Sequence, residues 1–146
     1  MSTEESLAWV RSMRLQLLES LFELSGIHLQ KACWANPSSS NPHYSFIEFV
    51  ASSPLHSTEA LDFQRASGLI TEAEYEALVP LAQAIATYTP PHGDWHNESA
   101  VLQDSSWHQV TQTAAKAMEQ FLSLSFNSQQ WCGTLLATGI QTKSAP

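Results

Sequence analysis

Basic residues are scarce in this chain. Six Lys and Arg stand against 14 Asp and Glu in 146 residues, a net charge of −8. Between Arg65 and Lys116 there is no Lys or Arg at all, while the same window carries Glu72, Glu74, Glu76, Asp94, Glu98 and Asp104. A charge excess of this sign repels phosphate backbones and anionic lipid, so neither nucleic acid nor a membrane surface is an expected partner. Cysteine is scarcer still. Cys33 and Cys132 lie far apart, and without a CxxC there is no zinc-knuckle or redox spacing. Each sits beside a tryptophan, which suits buried free thiols; a disulfide requires the two segments to meet in space. No apolar run reaches the roughly 18 residues of a membrane span. The N-terminus opens Met1-Ser2-Thr3-Glu4-Glu5, acidic where a leader would be basic, so a cytoplasmic protein is expected. Catalytic signatures are missing too. The five glycines form neither GxxxxGK nor GxGxxG, and no GxSxG or HExxH occurs. The reading leans away from an enzyme.

What is present is core material. Hydrophobic residues make up 43% of the chain, enough for one compact domain over 1–146. Only 14% is charged, and Ser, Thr, Asn and Gln fill the difference.

The periodicity is helical. Residues 3–25 place Leu7, Val10, Leu17, Leu18, Leu21 and Leu24 at three- and four-residue steps, with Met13 and Arg14 between them. Ser2 or Thr3 can cap this helix, Glu4 and Glu5 suit its first turn, and Gly26 is expected to end it as a left-handed C′ residue. Trp9 and Phe22 broaden its apolar face. So wide a face can serve several neighbours, or a second copy of the chain in a homodimer through residues 3–25. Residues 27–35 are ambiguous between a short helix and an irregular segment. Asn36 to Pro42 is a loop by composition and the best candidate for a mobile segment. A helix carrying Tyr44, Phe46, Phe49 and Val50 should start at Asn41-Pro42 and stop near Ser52.

Ser57 is placed to cap a helix over 58–67 that Gly68 ends, and "TEAE" at Thr71–Glu74 is a capping box for the next. The resulting hairpin resembles a generic turn of small bacterial helical modules, a likeness of hairpin chemistry rather than of family. The second helix keeps Tyr75, Leu78, Val79, Ala82, Ile85 and Ala86 in phase across Pro80, which predicts one kinked helix to about Tyr88. A linker spans 89–103. A last strong helix, 105–124, is capped by Asp104 or Ser105 and carries Trp107, Val110, Ala114, Ala117, Met118, Phe121 and Leu122. The tail, 126–146, is expected to dock loosely through Trp131 and Leu135-Leu136, with "TLLATGI" readable as a strand that has no partner. The expected fold is therefore all-α: a single-domain bundle of four to six helices with a kink at Pro80.

One stretch concentrates metal-binding chemistry. "PHGDWHNES" holds His92, Asp94, His96 and Glu98 within residues 91–99. Imidazole and carboxylate suit zinc, manganese or iron. A second Trp-His pair, Trp107-His108, follows Asp104, so His92, Asp94, His96 and His108 form a candidate site for zinc or another divalent metal if the two turns meet. The competing account has Asp94 capping a short turn, Trp95 and Trp107 anchoring it in the core, and the histidines at the rim. Pro90, Pro91 and Gly93 disfavour a helix that would align His92 with His96.

Three functions remain open. The first is an interaction module whose acidic surface, Glu72, Glu74, Glu76, Asp94, Glu98 and Asp104, binds a basic protein partner; a toxin-neutralising immunity or inhibitor protein is its concrete form. The second is a metal-binding or metal-dependent helical protein. The third is a carrier for a small apolar ligand, with a cavity lined by Tyr44, Phe49 and Trp107.

Overall fold

A computed structural model describes residues 3–34 and 46–125. Among the described residues every regular element is helical: α1 (Thr3–Ser25), α2 (Ile27–Trp34), α3 (Phe46–Ser52), α4 (Thr58–Ala66), α5 (Glu72–Thr87), a 3₁₀ turn (Pro91–Gly93), α6 (Glu98–Gln103) and α7 (Ser105–Ser125). The all-α bundle expected from periodicity is present, with seven α-helices among the described residues against the four to six expected. The additional helix lies inside the stretch expected to be a linker. Asn97 caps α6 by accepting the Ala100 N–H at 3.1 Å, and Val101 and Leu102 are buried. One apolar pair and one cap suffice for a short helix, too little for a periodicity signal. The loop at 36–42, the residues Tyr44 and Cys132, and the tail with Trp131 and Leu135-Leu136 lie outside the described residues.

Local chemistry sets the element ends. Ser57 accepts the Ala60 N–H at 3.1 Å, and Gly68, at φ +76°, turns the chain after α4 in the left-handed region that glycine adopts without a Cβ clash. The Thr71–Glu74 capping box is closed in both directions: Glu74 N–H donates to Thr71 Oγ1 at 3.1 Å, and Thr71 N–H donates to Glu74 Oε1 at 2.8 Å. Helix α5 runs unbroken through Pro80. Asp104 caps α7 by accepting the Ser106 N–H at 3.1 Å. Gly26 departs from expectation. It is not left-handed, and its carbonyl accepts the Gln30 N–H at 3.0 Å, so it opens α2 instead of closing α1 with a turn. A side chain there would approach Leu29 Cβ and the Phe22 carbonyl at 3.4 Å.

Helix α7 packs against both α1 and α5, α4 packs on α5, and α2 touches α1 and α6. Their shared core contains Leu17, Leu21 and Leu24 of α1, Leu78, Leu81 and Ile85 of α5, and Trp107, Ala114 and Phe121 of α7. At one end the core is aromatic. Trp107 packs edge-on to Phe46 at 5.0 Å between centroids and lies 6.0 Å from Trp34, while Trp95 stacks on Phe46 at 5.8 Å. Trp107 Nε1 donates to Gln30 Oε1 at 2.7 Å. The Gln30 amide in turn donates to the Glu23 and Leu24 carbonyls at 2.8 and 3.0 Å, so a buried polar side chain is satisfied at both ends.

A charge pair joins α1 to the α4–α5 hairpin. Arg14 and Glu74 are 3% and 2% exposed. Arg14 Nη2 donates to Glu74 Oε2 at 2.8 Å and Nη1 to Oε1 at 3.2 Å, a two-pronged pairing, and Nη1 also donates to the Leu69 carbonyl. Burial pulls the guanidinium down to about 10 from 12.5, with the Glu74 carboxylate partly opposing the shift, so it remains charged at neutral pH. Truncating one partner leaves the other buried and charged. Arg14→Ala should therefore lower the unfolding free energy in urea titrations by about 3–5 kcal/mol. Arg14→Met combined with Glu74→Gln should recover most of that loss, because Gln at this position still closes the capping box. Equal losses in both variants would show that the bond to Leu69, not the charge pair, holds the hairpin.

Candidate functional site

The stretch after α5 is built as a tethered turn. Helix α5 ends at Thr87, Pro90 precedes the 3₁₀ turn that Pro91 opens, and His92 and Gly93 within it both adopt left-handed backbone, φ 58° and 67°. A histidine tolerates that region better than a branched residue, and here it points the chain back toward the bundle. Asp94 Oδ1 accepts the His96 N–H at 3.0 Å, the capping geometry expected of it. Trp95 between them is half-buried and packs on Phe46 and Tyr88. His92 and His96 are exposed, while His108 is half-buried one turn into α7. The His108 Nε2 faces the Leu102 carbonyl at 2.6 Å; a carbonyl only accepts, so Nε2 carries the proton.

One ring nitrogen of His108, Nε2, is thus committed to the α6 backbone. Among the described residues no group of three or more His, Cys, Asp and Glu is placed to hold a metal ion. His92 and His96 are exposed on either side of the half-buried Trp95, and His108 faces the α6 backbone, so these residues do not gather into such a group. What the turn does form is a shallow depression of about 500 Å³ lined by Trp34, Asp94, His96, Asn97, Glu98 and Ser99.

The acidic window changes character on folding. Glu74, expected on the surface, is instead in the core against Arg14. The capping box turns its side chain back toward the helix start, and the hairpin then carries it under α1. Glu72 pairs with Arg65 at 3.1 Å; Arg65 also lies 3.7 Å from Asp62 and 3.8 Å over the Tyr75 ring. Asp104 is half-buried, its Oδ2 accepting the Tyr88 phenol at 2.9 Å while Oδ1 caps α7. Burial and this carboxylate both push the Tyr88 phenol far above its usual range. Glu98 Oε1 faces the Phe46 N–H at 3.3 Å. Of the six acids, Glu76 and Asp94 stay exposed without an ion-pair partner among the described residues. The window is free of bases in sequence but not in space. Arg14 and Arg65, from outside it, are folded against it.

A second feature lies away from that window. Leu15, Leu18 and Phe22 of α1, Leu29 of α2, and Met118 and Leu122 of α7 line an apolar cleft of about 540 Å³, edged by Glu19 and Glu23. Phe22 is 61% exposed. Glu23 is half-buried and accepts the Trp34 Nε1–H at 3.0 Å; desolvation lifts its carboxyl above the ordinary 4.5, with the Trp34 bond opposing. Sequence reading found the wide face of α1 but not this cleft. Leu15 and Phe22 fall beside the main stripe, and only the placement of α7 shows which of the two flanks is left uncovered. Of the residues named for an apolar-ligand cavity, Phe49 and Trp107 each pack on Trp34, and Tyr44 lies outside the described residues. No protein-family model, curated protein or solved structure matches this chain.

Two outcomes follow from these geometries. Added zinc should leave the melting temperature of the full chain unchanged, and His96→Ala should behave as the unsubstituted protein; a zinc-dependent rise lost in the variant would restore the metal site. Glu23 holds its proton more tightly folded than unfolded, so its contribution to stability grows as pH falls through the folded pKa and is lost as pH rises. Glu23→Gln should therefore flatten the stability profile just above the ordinary carboxyl range in denaturant titrations. An unaltered profile would assign that slope to other carboxyls.

Proposed function

We propose that this chain is a protein-interaction module that binds a basic protein partner, an inhibitor or toxin-neutralising protein being the concrete form. One observation carries the reading. After the internal pairs have formed, Glu4, Glu19, Glu59, Glu76, Asp94 and Glu119 remain exposed without an ion-pair partner, against Arg11, Lys31 and Lys116 as exposed bases among the described residues. Folding removes Glu72 and Glu74 from the negative field yet leaves the excess. Such a field draws a cationic partner and raises its association rate more than its final affinity. Glu74 has no part in that surface, and its loss would act through the fold.

The test is the charge and salt dependence of whatever binds. Partners recovered on the full-length protein should carry net positive charge. Their dissociation constants should weaken by about tenfold or more when ionic strength rises from about 50 to about 300 mM. Charge reversal at Glu76 and Asp94, each to Lys, should slow association while leaving thermal stability in place. A neutral or acidic partner bound with salt-independent affinity would refute the reading.

A further inference from the structure

The apolar cleft between α1, α2 and α7 asks for a cover that the described residues do not supply. Its floor is Leu18, buried, and its walls rise through Leu15, Phe22, Leu29, Met118 and Leu122. Beyond it along α1, past Arg11, the same arc carries one more exposed apolar side chain, Leu7. Leu7, Leu15, Leu18 and Phe22 fall within one narrow arc of the helix, over roughly 22 Å of its axis, and Leu7 is 47% exposed. Two ridges result, one of i, i+3, i+7 residues on α1 and one of i, i+4 residues on α7, the surface into which a further helix packs.

The backbone of the occupant is constrained as well. Apolar walls offer no partners for main-chain N–H and C=O groups, so a segment lying in the cleft must satisfy its own. A helix does so; an extended segment needs a sheet edge, and the described residues contain no strand. Charge narrows the partner further. Glu19 and Glu23 stand one turn apart on the rim and neither has an ion-pair partner among the described residues. A cation set beside Glu23 offsets the desolvation that its half-burial already imposes. Arg11, one turn before Leu15 on the same arc, keeps positive charge away from the opposite end.

We propose that this cleft docks one amphipathic helix of a basic partner, its apolar stripe laid along Leu15, Leu18, Phe22, Met118 and Leu122 and its Lys or Arg residues gathered at the end beside Glu19 and Glu23. The inference rests on the interaction-module reading and assigns it a docking site and a mode of recognition.

Met118 lines the cleft and Met13 does not, so methyl-labelled methionine in the full chain supplies a probe and an internal control. The ligands are two synthetic peptides of identical Leu, Ala and Lys composition, each about 18 residues or five turns long. One places Leu at i, i+3, i+4 and i+7 with Lys at one end; the other is scrambled. The patterned peptide should shift the Met118 methyl resonance, leave Met13 unmoved and bind at least about tenfold tighter than the scramble. Phe22→Asp, at an exposed position, should abolish the Met118 shift, and Glu19→Lys should weaken binding with the fold intact. Equal affinity for the two peptides, or a Met118 shift that survives Phe22→Asp, overturns the cleft as the docking site. Salt-dependent binding of both peptides with Met118 unmoved overturns the cleft and leaves the basic-partner reading standing on another face.

Discussion

The Arg14–Glu74 pair is the constraint on which the arrangement of the helices depends. Its two charges are out of water, so neither is tolerated without the other. Arg14 belongs to α1, Glu74 to the first turn of α5, and the guanidinium also holds the Leu69 carbonyl in the connection between α4 and α5. One residue on α1 thereby fixes the height of the hairpin against it. The same carboxylate closes the capping box at Thr71, so the start of α5 and its docking onto α1 are one structural event. Hydrophobic packing alone would permit sliding of α1 past the α4–α5 hairpin; a buried, directional pair allows one register.

At the opposite end of the bundle the aromatic residues do comparable work without charge. Trp107 sits among Trp34, Phe46 and Tyr88, and its indole N–H is satisfied by Gln30. Trp95 closes over Phe46, and the turn that carries it brings Asp94 and His96 to the surface. The histidines of this turn owe their placement to the tryptophans beside them. A stretch dense in His and Asp thus becomes a loop tethered by Trp95, with His92 and His96 exposed beside it.

Electrostatics changes most between chain and fold. A count along the sequence treats Glu72, Glu74, Glu98 and Asp104 as one acidic block. In space each has a different occupation: an ion pair on the surface, an ion pair in the core, a contact to the start of α3, and a shared bond to a phenol and a helix end. The exposed acids left without an ion-pair partner among the described residues come partly from this window, Glu76 and Asp94, and partly from elsewhere, Glu19 and Glu119 among them. Arg14 was the readable hint. It stands in phase with Val10, Leu17, Leu18 and Leu21 on an otherwise apolar stripe, where a guanidinium needs a buried anion.

The sequence by itself determined the longer helices and most of their ends. Ser57, Thr71 with Glu74, and Asp104 cap where their side chains predict, because capping depends on groups two or three residues apart. The continuity of α5 through Pro80 was legible from the phase of its apolar residues. Gly26 was misread because its conformation is decided by how α2 folds back on α1, a contact between helices. The short α6 escaped because one buried pair carries no period. Partner choice for Glu74, the bond of His108 to the Leu102 carbonyl, and the uncovered flank of α1 belong to the tertiary structure alone. The first and the last depend on residues up to 60 or more positions apart being brought together, and that distance is not written in local pattern.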